Sequence, residues 1–345
     1  MTDPKIADPT AATMIDETVL DSLLHEIDLH SDVLFTWDYT RSRPALGKLY
    51  EKAKTSQWNG STDLDWSIEV DWDALAAESA VVNTRFNILQ TADDSPLKSW
   101  GETEWNSFHR EVQTYFLSQF LHGEQGALAC TGLITATVPW IDAKYYAATQ
   151  VMDEARHVEV FARYIEEKTS GAYPINSNLG GLLDDIITDG RWDMTYLGMQ
   201  IMVEGLALAA FGMIQATSNE PLIKQIVHMI MQDEARHVAF GVLSLKGVYD
   251  DMGGSELKDR EDFILESSRL MRDRFLMQEV WECMGMPVAE CLEVALQSEP
   301  MKMFRQMLFS KIVPNVKRLG LLTPRVRKGF EELGVLHFET WDASA

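Results

Sequence analysis

The chain has 345 residues, of which 46% are hydrophobic and 24% are charged, a balance typical of a folded globular protein. Its 53 acidic residues outnumber the 30 basic ones and give a net charge of −23, so nucleic acid is excluded as a natural partner. No stretch approaches about 18 consecutive apolar residues, no basic region precedes an apolar one at the N-terminus, and the three cysteines form no paired motif. We therefore expect no membrane span, no secretory signal, no disulfide framework and a cytoplasmic location.

Four long helices are predicted in the middle of the chain, between about residues 102 and 252. Pro139 separates the first from the second, and Pro221 begins the fourth. Residues 170–181 are rich in glycine, proline and asparagine and are predicted to form a loop, followed by a short helical piece. The predicted long helices are, in chain order, about 102–136, 139–168, 191–217 and 221–251.

Further helices are predicted on both sides of this core, at residues 44–57, 261–283 and 301–316. Neither flank is bounded by a clear linker, so we expect a single helical domain over residues 1–345. In this interpretation residues 14–101 wrap the core from the N-terminal side and residues 253–345 add accessory helices.

The pentapeptide Asp-Glu-Ala-Arg-His occurs twice, as a first motif at Asp153–His157 and a second motif at Asp233–His237. A glutamate precedes each motif at the same interval, Glu124 before the first and Glu204 before the second. From each upstream glutamate to the next helix end, and back to the motif, is about 15 residues each way, or roughly 20–24 Å of helix. Each pair of glutamates is therefore predicted to lie at one height on neighbouring antiparallel helices.

Within each motif the glutamate and the histidine are three residues apart and share a helix face. Four carboxylates and two imidazoles in a four-helix bundle are the ligand set of a dimetal site, and they suit iron or manganese better than zinc. The alternative is that these residues are solvated surface charges. However, Glu124 and Glu204 lie in apolar stretches, where a glutamate is costly to bury without a cation. The predicted ligands are Glu124, Glu154, His157, Glu204, Glu234 and His237.

The spacing and the repeated motif resemble the ferritin-like di-iron oxygenase superfamily. Its members include hydroxylase subunits of bacterial multicomponent monooxygenases, ribonucleotide reductase small subunits and acyl-carrier-protein desaturases. The resemblance covers about residues 102–251 and implies an all-α, ferritin-like four-helix bundle with additional flanking helices. It also implies that one iron is held by Glu124, Glu154 and His157 and the other by Glu204, Glu234 and His237, with one or two glutamates bridging.

The resemblance further implies a set of residues that support the ligands. Asp233 would orient His157, and Asp153 would orient His237, each aspartate fixing the imidazole tautomer. Arg156 and Arg236 would pair with these aspartates. The alternative for all four charged residues is ordinary salt bridging along a helix.

Three positions depart from particular members of the superfamily. Phe161 occupies the position of the radical-bearing tyrosine of reductase small subunits, and Leu208 that of a hydroxylase threonine. Arylamine N-oxygenases add a third histidine one turn before the last motif glutamate, where this chain has Ile230. A pocket beside the metals is predicted, with ordinary core packing as the alternative for each residue. Its candidate lining residues are Leu128, Thr131, Phe161, Leu208 and Phe211.

The resemblance implies an O2-activating non-haem di-iron oxygenase that hydroxylates, desaturates or otherwise oxidises a small, mostly apolar organic substrate. Two Fe ions are expected, with Mn/Fe as a variant, together with an electron donor such as a ferredoxin or a reductase. A homodimer is compatible with the sequence. The alternatives are an Mn/Fe ligand-binding oxidase and a metal- or peroxide-handling protein without an organic substrate. The basic stretch Lys311–Lys328 is either a docking surface or a solvated one.

Overall fold

The computed structural model describes residues 24–72, 74–75 and 95–342, and helices are the only regular secondary structure within these ranges. The predicted all-α class is therefore confirmed, while part of the predicted N-terminal wrapping segment lies outside the described residues. The helices are α1 Pro44–Thr55, α2 Glu102–Thr137, α3 Ile141–Lys168, α4 Ser177–Asp189, α5 Trp192–Thr217, α6 Pro221–Leu245, α7 Gly254–Asp273, α8 Gln278–Cys283, α9 Val288–Gln297, α10 Glu299–Met307, α11 Ile312–Arg318 and α12 Pro324–Glu332.

Helices α2, α3, α5 and α6 form the bundle, with α2 packed on α3 and α5 packed on α6. Helix α6 begins at Pro221, as predicted, because the Glu220 carboxylate accepts hydrogen bonds from the first free backbone N–H groups. It ends at Leu245 rather than near residue 251. The chain leaves the helix at Lys246, and Gly247 then adopts a positive φ of 79°, which stops further helical growth.

The loop between α3 and α4 is shorter than predicted. Asn176 caps α4 by accepting a hydrogen bond from the backbone N–H of Asn178, at 3.0 Å, so that the asparagines mark a helix start rather than a loop interior. Two predicted accessory helices are also divided. Met277 takes a left-handed φ of 59° and separates α7 from α8, and a 3₁₀ turn at Leu308–Ser310 separates α10 from α11.

Helix α5 contains a π-helical segment at Leu197–Val203, directly before Glu204. The hydrophobic pattern did not predict it, because every residue of the segment is buried and the apolar run has no distinct period. Gly241 of α6 permits α6 to approach this π-helical segment closely, since a Cβ at position 241 would lie 2.5 Å from Cβ of Gln200. The π-helical segment thus determines the direction around the α5 axis in which Glu204 projects.

Helix α5 is long and apolar enough, by length and composition, to cross a membrane. Its most apolar window is 72% buried inside the protein, however, which is the environment of a core helix. The hydrophobic core surrounds it with side chains from every other bundle helix. Helix α5 therefore contributes Glu204 from the most apolar part of the fold.

Candidate metal centre

The six predicted ligands lie together at mid-height in the bundle, and all are buried. Their ligand atoms form two groups, each within 4.8 Å. The first group contains Glu124, Glu154, His157 and Glu234, and the second contains Glu154, Glu204 and His237. Glu154 belongs to both groups, so it is the natural bridging carboxylate. We refer to these six residues as the ligand cluster.

Both imidazoles present Nδ1 to the carboxylates. Nδ1 of His157 lies 3.2 Å from Glu124, 3.4 Å from Glu154 and 3.3 Å from Glu234. Nδ1 of His237 lies 3.1 Å from Glu154, 3.7 Å from Glu234 and 3.9 Å from Glu204. Glu154 and Glu234 therefore reach both imidazoles, whereas Glu124 and Glu204 each reach one. This arrangement suits two terminal and two bridging glutamates.

The cluster contains several buried polar atoms that make no hydrogen bond among the described residues. They are Oε2 of Glu154, Oε2 of Glu204, both carboxylate oxygens of Glu234 and Nδ1 of His237. Buried acceptors without donors are rare and cost about 1–3 kcal/mol or more each. Cations among these atoms would satisfy all of them at once, so the residues fit a dinuclear site for hard or borderline metal ions.

The electrostatics of the cluster lead to the same conclusion. Burial, reinforced by the neighbouring Glu234, raises the pKa of Glu124 to about 8. Burial also raises the pKa of Glu204 well above its usual range. Burial opposes the charged form of His157 and His237, yet the surrounding carboxylates hold the pKa of both imidazoles well above the usual value. The cluster attracts positive charge strongly, whether as protons or as metal ions.

Behind the imidazoles lies an ion-pair quartet, formed by Asp153, Arg156, Asp233 and Arg236. Arg156 donates to Asp153 at 2.6 Å and to Asp233 at 2.9 Å. Arg236 donates to the same two aspartates, with a distance of 3.3 Å to Asp153. All four residues are buried, and two guanidinium charges balance two carboxylates.

The quartet contacts the imidazoles crosswise, as the resemblance implied. Nε2 of His157 lies 3.2 Å from Oδ2 of Asp233, and Nε2 of His237 lies 3.3 Å from Oδ2 of Asp153. An aspartate at Nε2 keeps the proton on that nitrogen and leaves Nδ1 free to bind a cation. The aspartate of each motif therefore orients the histidine of the other motif.

Two residues that contact the quartet were not predicted, because they come from the N-terminal flank. The indole N–H of Trp58 donates to Asp233 at 2.7 Å, and Gln57 donates to Asp153 at 3.0 Å while accepting from Arg156 at 2.8 Å. Both residues follow α1, which packs on α3 and α6. The contacts are far apart in sequence, and no local signal identifies them.

Gln150 was also missed, although it lies four residues before Glu154 on the same helix face. It is fully buried, and its side-chain amide donates to Glu154 at 2.9 Å and to Glu204 at 2.7 Å. The helical spacing from Glu154 was the signal that could have identified it.

The candidate pocket residues do not all share one environment. Phe161 and Phe211 are buried and pack with Phe120, with ring centroids 4.9 Å apart for Phe120 and Phe211 and 5.8 Å apart for Phe161 and Phe211. We call these three rings the phenylalanine cluster. Thr131 is buried, and its hydroxyl makes no hydrogen bond among the described residues, whereas Leu128 and Leu208 are only partly buried. A pocket formed by all five predicted residues remains a prediction.

A cavity of about 400 Å³ lies at the end of the bundle where α6 begins. Leu117, Tyr164, Ile214 and Ile223 contribute to its lining. Leu117 is seven residues before Glu124, and Tyr164 is seven residues after His157, so the cavity floor lies roughly 10 Å along the helices from the ligand cluster. Larger clefts of about 650 and 640 Å³ involve Asp189 and Arg191 and border none of the six ligands.

The basic stretch Lys311–Lys328 is partly compensated by local acidic groups. Arg325 pairs with Glu261 and Asp262, and Arg327 pairs with Glu339 at 2.5 Å. These pairs reduce the local positive potential. A role in docking stays a prediction.

The family model described as "P-aminobenzoate N-oxygenase AurF" matches residues 139–320, which include every predicted ligand except Glu124. No curated protein matches the chain.

Among solved structures, the chain is similar to R2-like ligand-binding oxidases. A point mutant with an anaerobically reconstituted Mn/Fe cofactor shares 18% identity, with 84% of this chain and 98% of that chain covered, at a TM-score of 0.48. Another such point mutant shares 18% identity, with 83% and 95% covered, at a TM-score of 0.47. A form described as aerobically reconstituted and photoconverted shares 15% identity, with 88% and 95% covered, at a TM-score of 0.43.

Proposed function

Because this chain belongs to the family of p-aminobenzoate N-oxygenase AurF, we propose that it uses O2 to oxidise an amine nitrogen on a small aromatic molecule. The family match covers more than half of the chain and is the observation that carries the proposal. Membership confirms the predicted class, a di-iron oxygenase with a small-molecule substrate. The aromatic amine is the step beyond that class, and it is supported by the family description.

We propose that the ligand cluster holds the two metal ions, with iron in both positions or manganese in one. The support is the donor set of four carboxylates and two imidazoles, together with the buried oxygens that lack donors. A reduced dinuclear centre, when bound, supplies the electrons that activate O2. Asp153 and Asp233 hold the imidazole protons on Nε2, so that both Nδ1 atoms remain available as ligands.

The substrate would approach from the cavity at the start of α6. Its volume of about 400 Å³ is in the range of small-molecule sites. Its lining combines apolar side chains with polar and charged ones, which include His109, Arg110 and the hydrogen-bonded pair of Tyr164 and Glu220, at 2.8 Å. The phenylalanine cluster comes next toward the ligands, since Phe120 is four residues before Glu124 and Phe161 is four residues after His157. These rings exclude water from the ligand cluster and offer an aromatic surface to a ring-shaped substrate.

Ile230 favours a second candidate reaction. Arylamine N-oxygenases place a third histidine at this position, and Ile230 of this chain is fully buried and cannot bind a metal ion. With six ligands rather than seven, the centre has the donor set of the hydroxylases in the same superfamily. Oxidation of carbon in a small, mostly apolar substrate is therefore the alternative to oxidation of nitrogen.

We further propose a cytoplasmic enzyme that receives electrons from a ferredoxin or a reductase. N-hydroxylation of an amine consumes R–NH2, O2, two electrons and two protons, and yields R–NHOH and water. Reduction of O2 takes four electrons and the amine nitrogen supplies two of them, so the other two must come from a donor outside the chain. The net charge of −23 would steer a donor with a basic docking face toward the surface.

The test is turnover of iron-loaded protein with 18O2, a chemical reductant and a panel of aminobenzoates and anilines. We expect one 18O atom on nitrogen, identified by mass spectrometry and by NMR of the product. Protein with Glu154→Ala and Glu234→Ala serves as the control and should give no product. Label on a ring or alkyl carbon would support the alternative, and products without 18O would contradict both reactions.

A further inference from the structure

Gln150 differs from an ordinary buried glutamine in its hydrogen bonds. Both of its amide N–H donors point to carboxylates of the ligand cluster, at 2.9 Å to Oε1 of Glu154 and 2.7 Å to Oε1 of Glu204. The opposite amide orientation would place its oxygen against two carboxylate oxygens, so the ionised carboxylates of a metal centre require the orientation described. The side chain therefore joins α3 to α5 through two predicted metal ligands.

The consequence for Glu204 is that its two oxygens become different. Oε1 is engaged by Gln150, whereas Oε2 makes no hydrogen bond among the described residues and lies 3.9 Å from Nδ1 of His237. Oε2 keeps all of its lone pairs for a cation, whereas Oε1 shares its lone pairs with the Gln150 amide. A neutral donor also reduces the repulsion between Glu154 and Glu204 without adding a charge to the cluster.

The second copy of the duplicated sequence lacks an equivalent of Gln150. The position four residues before Glu234 is occupied by Ile230, which has no donor, and both oxygens of Glu234 make no hydrogen bond among the described residues. Two halves with the same ligands therefore hold their carboxylates differently. Glu204 and Glu154 are restrained, and Glu234 is free to change its contacts with the imidazoles.

We propose that Gln150 is a positioning residue of the metal centre, which restrains Glu204 and Glu154 and thereby makes the two metal positions inequivalent. This inference rests on the proposed metal centre. Residues that hold metal ligands through hydrogen bonds typically contribute about 10–100-fold to metal affinity. Loss of the Gln150 amide should act most strongly on the ion held by Glu204 and His237, because Gln150 contacts both Glu204 and Glu154 of that group. The ion held by Glu124 and His157 should be affected less, since only Glu154 connects it to Gln150.

The chain offers a matched control in Gln200. Gln200 also lies four residues before a ligand glutamate and is fully buried, but it belongs to the π-helical segment and contacts Gly241 of α6. Its amide atoms make no hydrogen bond among the described residues. Gln200→Met therefore removes a buried glutamine amide close to the centre without removing a hydrogen bond to a ligand.

The experiment compares wild type, Gln150→Met and Gln200→Met after anaerobic loading with 57Fe(II). Iron affinities are measured by chelator competition, and the Mössbauer spectrum reports each iron separately. We expect Gln150→Met to lower the affinity for one iron by about 10–100-fold, to lower that for the other iron less, and to change one quadrupole doublet more than the other, while Gln200→Met behaves as wild type. Should the Met variant fail to fold, as seen by circular dichroism, Gln150→Asn keeps an amide too short to reach both carboxylates and should show the same change.

Other outcomes overturn the proposal in distinguishable ways. If the Gln150 variants keep both affinities and both doublets, Gln150 only fills space, and the metal centre itself stands. If the affinities for both irons fall equally, the Gln150 side chain supports the bundle in general rather than Glu204. Failure of wild type to bind iron at all would contradict the metal centre and this inference together.

Discussion

Replacing Asp233 by asparagine should test two roles of the ion-pair quartet, which are stabilisation of the fold and orientation of the metal-binding histidines. The Asp233 carboxylate accepts from Trp58 at 2.7 Å, from Arg156 at 2.9 Å and from Arg236, and it faces Nε2 of His157 at 3.2 Å. Asparagine keeps the shape but removes the charge, so two buried guanidinium groups share one carboxylate. Breaking a buried ion pair costs about 3–5 kcal/mol, and we expect a loss of that order in the free energy of unfolding.

The same substitution should weaken metal binding. A neutral amide oxygen polarises the His157 N–H less than a carboxylate does, and loss of such a partner lowers metal affinity about 10–100-fold, or about 1.4–2.7 kcal/mol. The assay is chelator competition for iron, together with denaturant unfolding of the chelator-treated protein.

Asp193→Asn is the matched control, because Asp193 forms a buried bidentate pair with Arg260 at 2.8–3.0 Å away from the ligand cluster. It should lose comparable stability and keep the metal affinity of wild type. Wild-type iron affinity in Asp233→Asn would refute the role assigned to Asp233. A loss of affinity in Asp193→Asn as large as that in Asp233→Asn would show that destabilisation alone explains the effect.

Further predictions concern packing and pH. Phe161→Ala should lower the free energy of unfolding by about 3–5 kcal/mol in a denaturant titration, because it opens a cavity in the phenylalanine cluster, whereas Phe161→Leu should cost about 1.5 kcal/mol or less; equal losses would contradict this packing. Gly241→Ala should lower the free energy of unfolding by about 1–3 kcal/mol and reduce iron retention, because the added Cβ would lie 2.5 Å from Cβ of Gln200 and displace the π segment that leads to Glu204. Unchanged stability and iron retention in this variant would contradict the close approach of α6 to the π segment. Burial raises the pKa of Glu124 to about 8 and that of Glu204 above its usual range, so the native chelator-treated protein binds more protons than the unfolded chain above about pH 4.5. Its melting temperature should therefore fall as the pH rises from about 5 to 8, and the raised pKa of the two imidazoles adds to the loss of stability above about pH 6.5. The melting temperature of metal-loaded protein should not show this fall. Identical pH profiles for the two forms would contradict the prediction.

The sequence predicted the parts of this protein that depend on local periodicity. The duplicated motif and helical rise were enough to bring Glu124 and Glu154 to one height, and the i, i+3 spacing placed His157 beside them. Gln150 obeys the same periodicity and could have been included. Its role nevertheless depends on the rotation of α5, which the sequence pattern does not define.

Other features depend on contacts that no local pattern records. Trp58 reaches Asp233 only because α1 packs across α3 and α6, which are distant in sequence. The π-helical segment Leu197–Val203 lies in a uniformly buried run, where helical periodicity carries no information. The sequence predicted Ile230 to be a departure from arylamine N-oxygenases, and the chain nevertheless belongs to the family of p-aminobenzoate N-oxygenase AurF.

We propose that the six buried residues of the ligand cluster bind two metal ions. The most direct test is the metal-to-chain ratio after anaerobic loading with Fe(II) and removal of free iron, measured by mass spectrometry of the metals. We expect about two ions per chain for wild type and about one for Glu124→Ala or His237→Ala, because each substitution removes a ligand from one position. Two ions retained in both variants, or none in wild type, would contradict the claim.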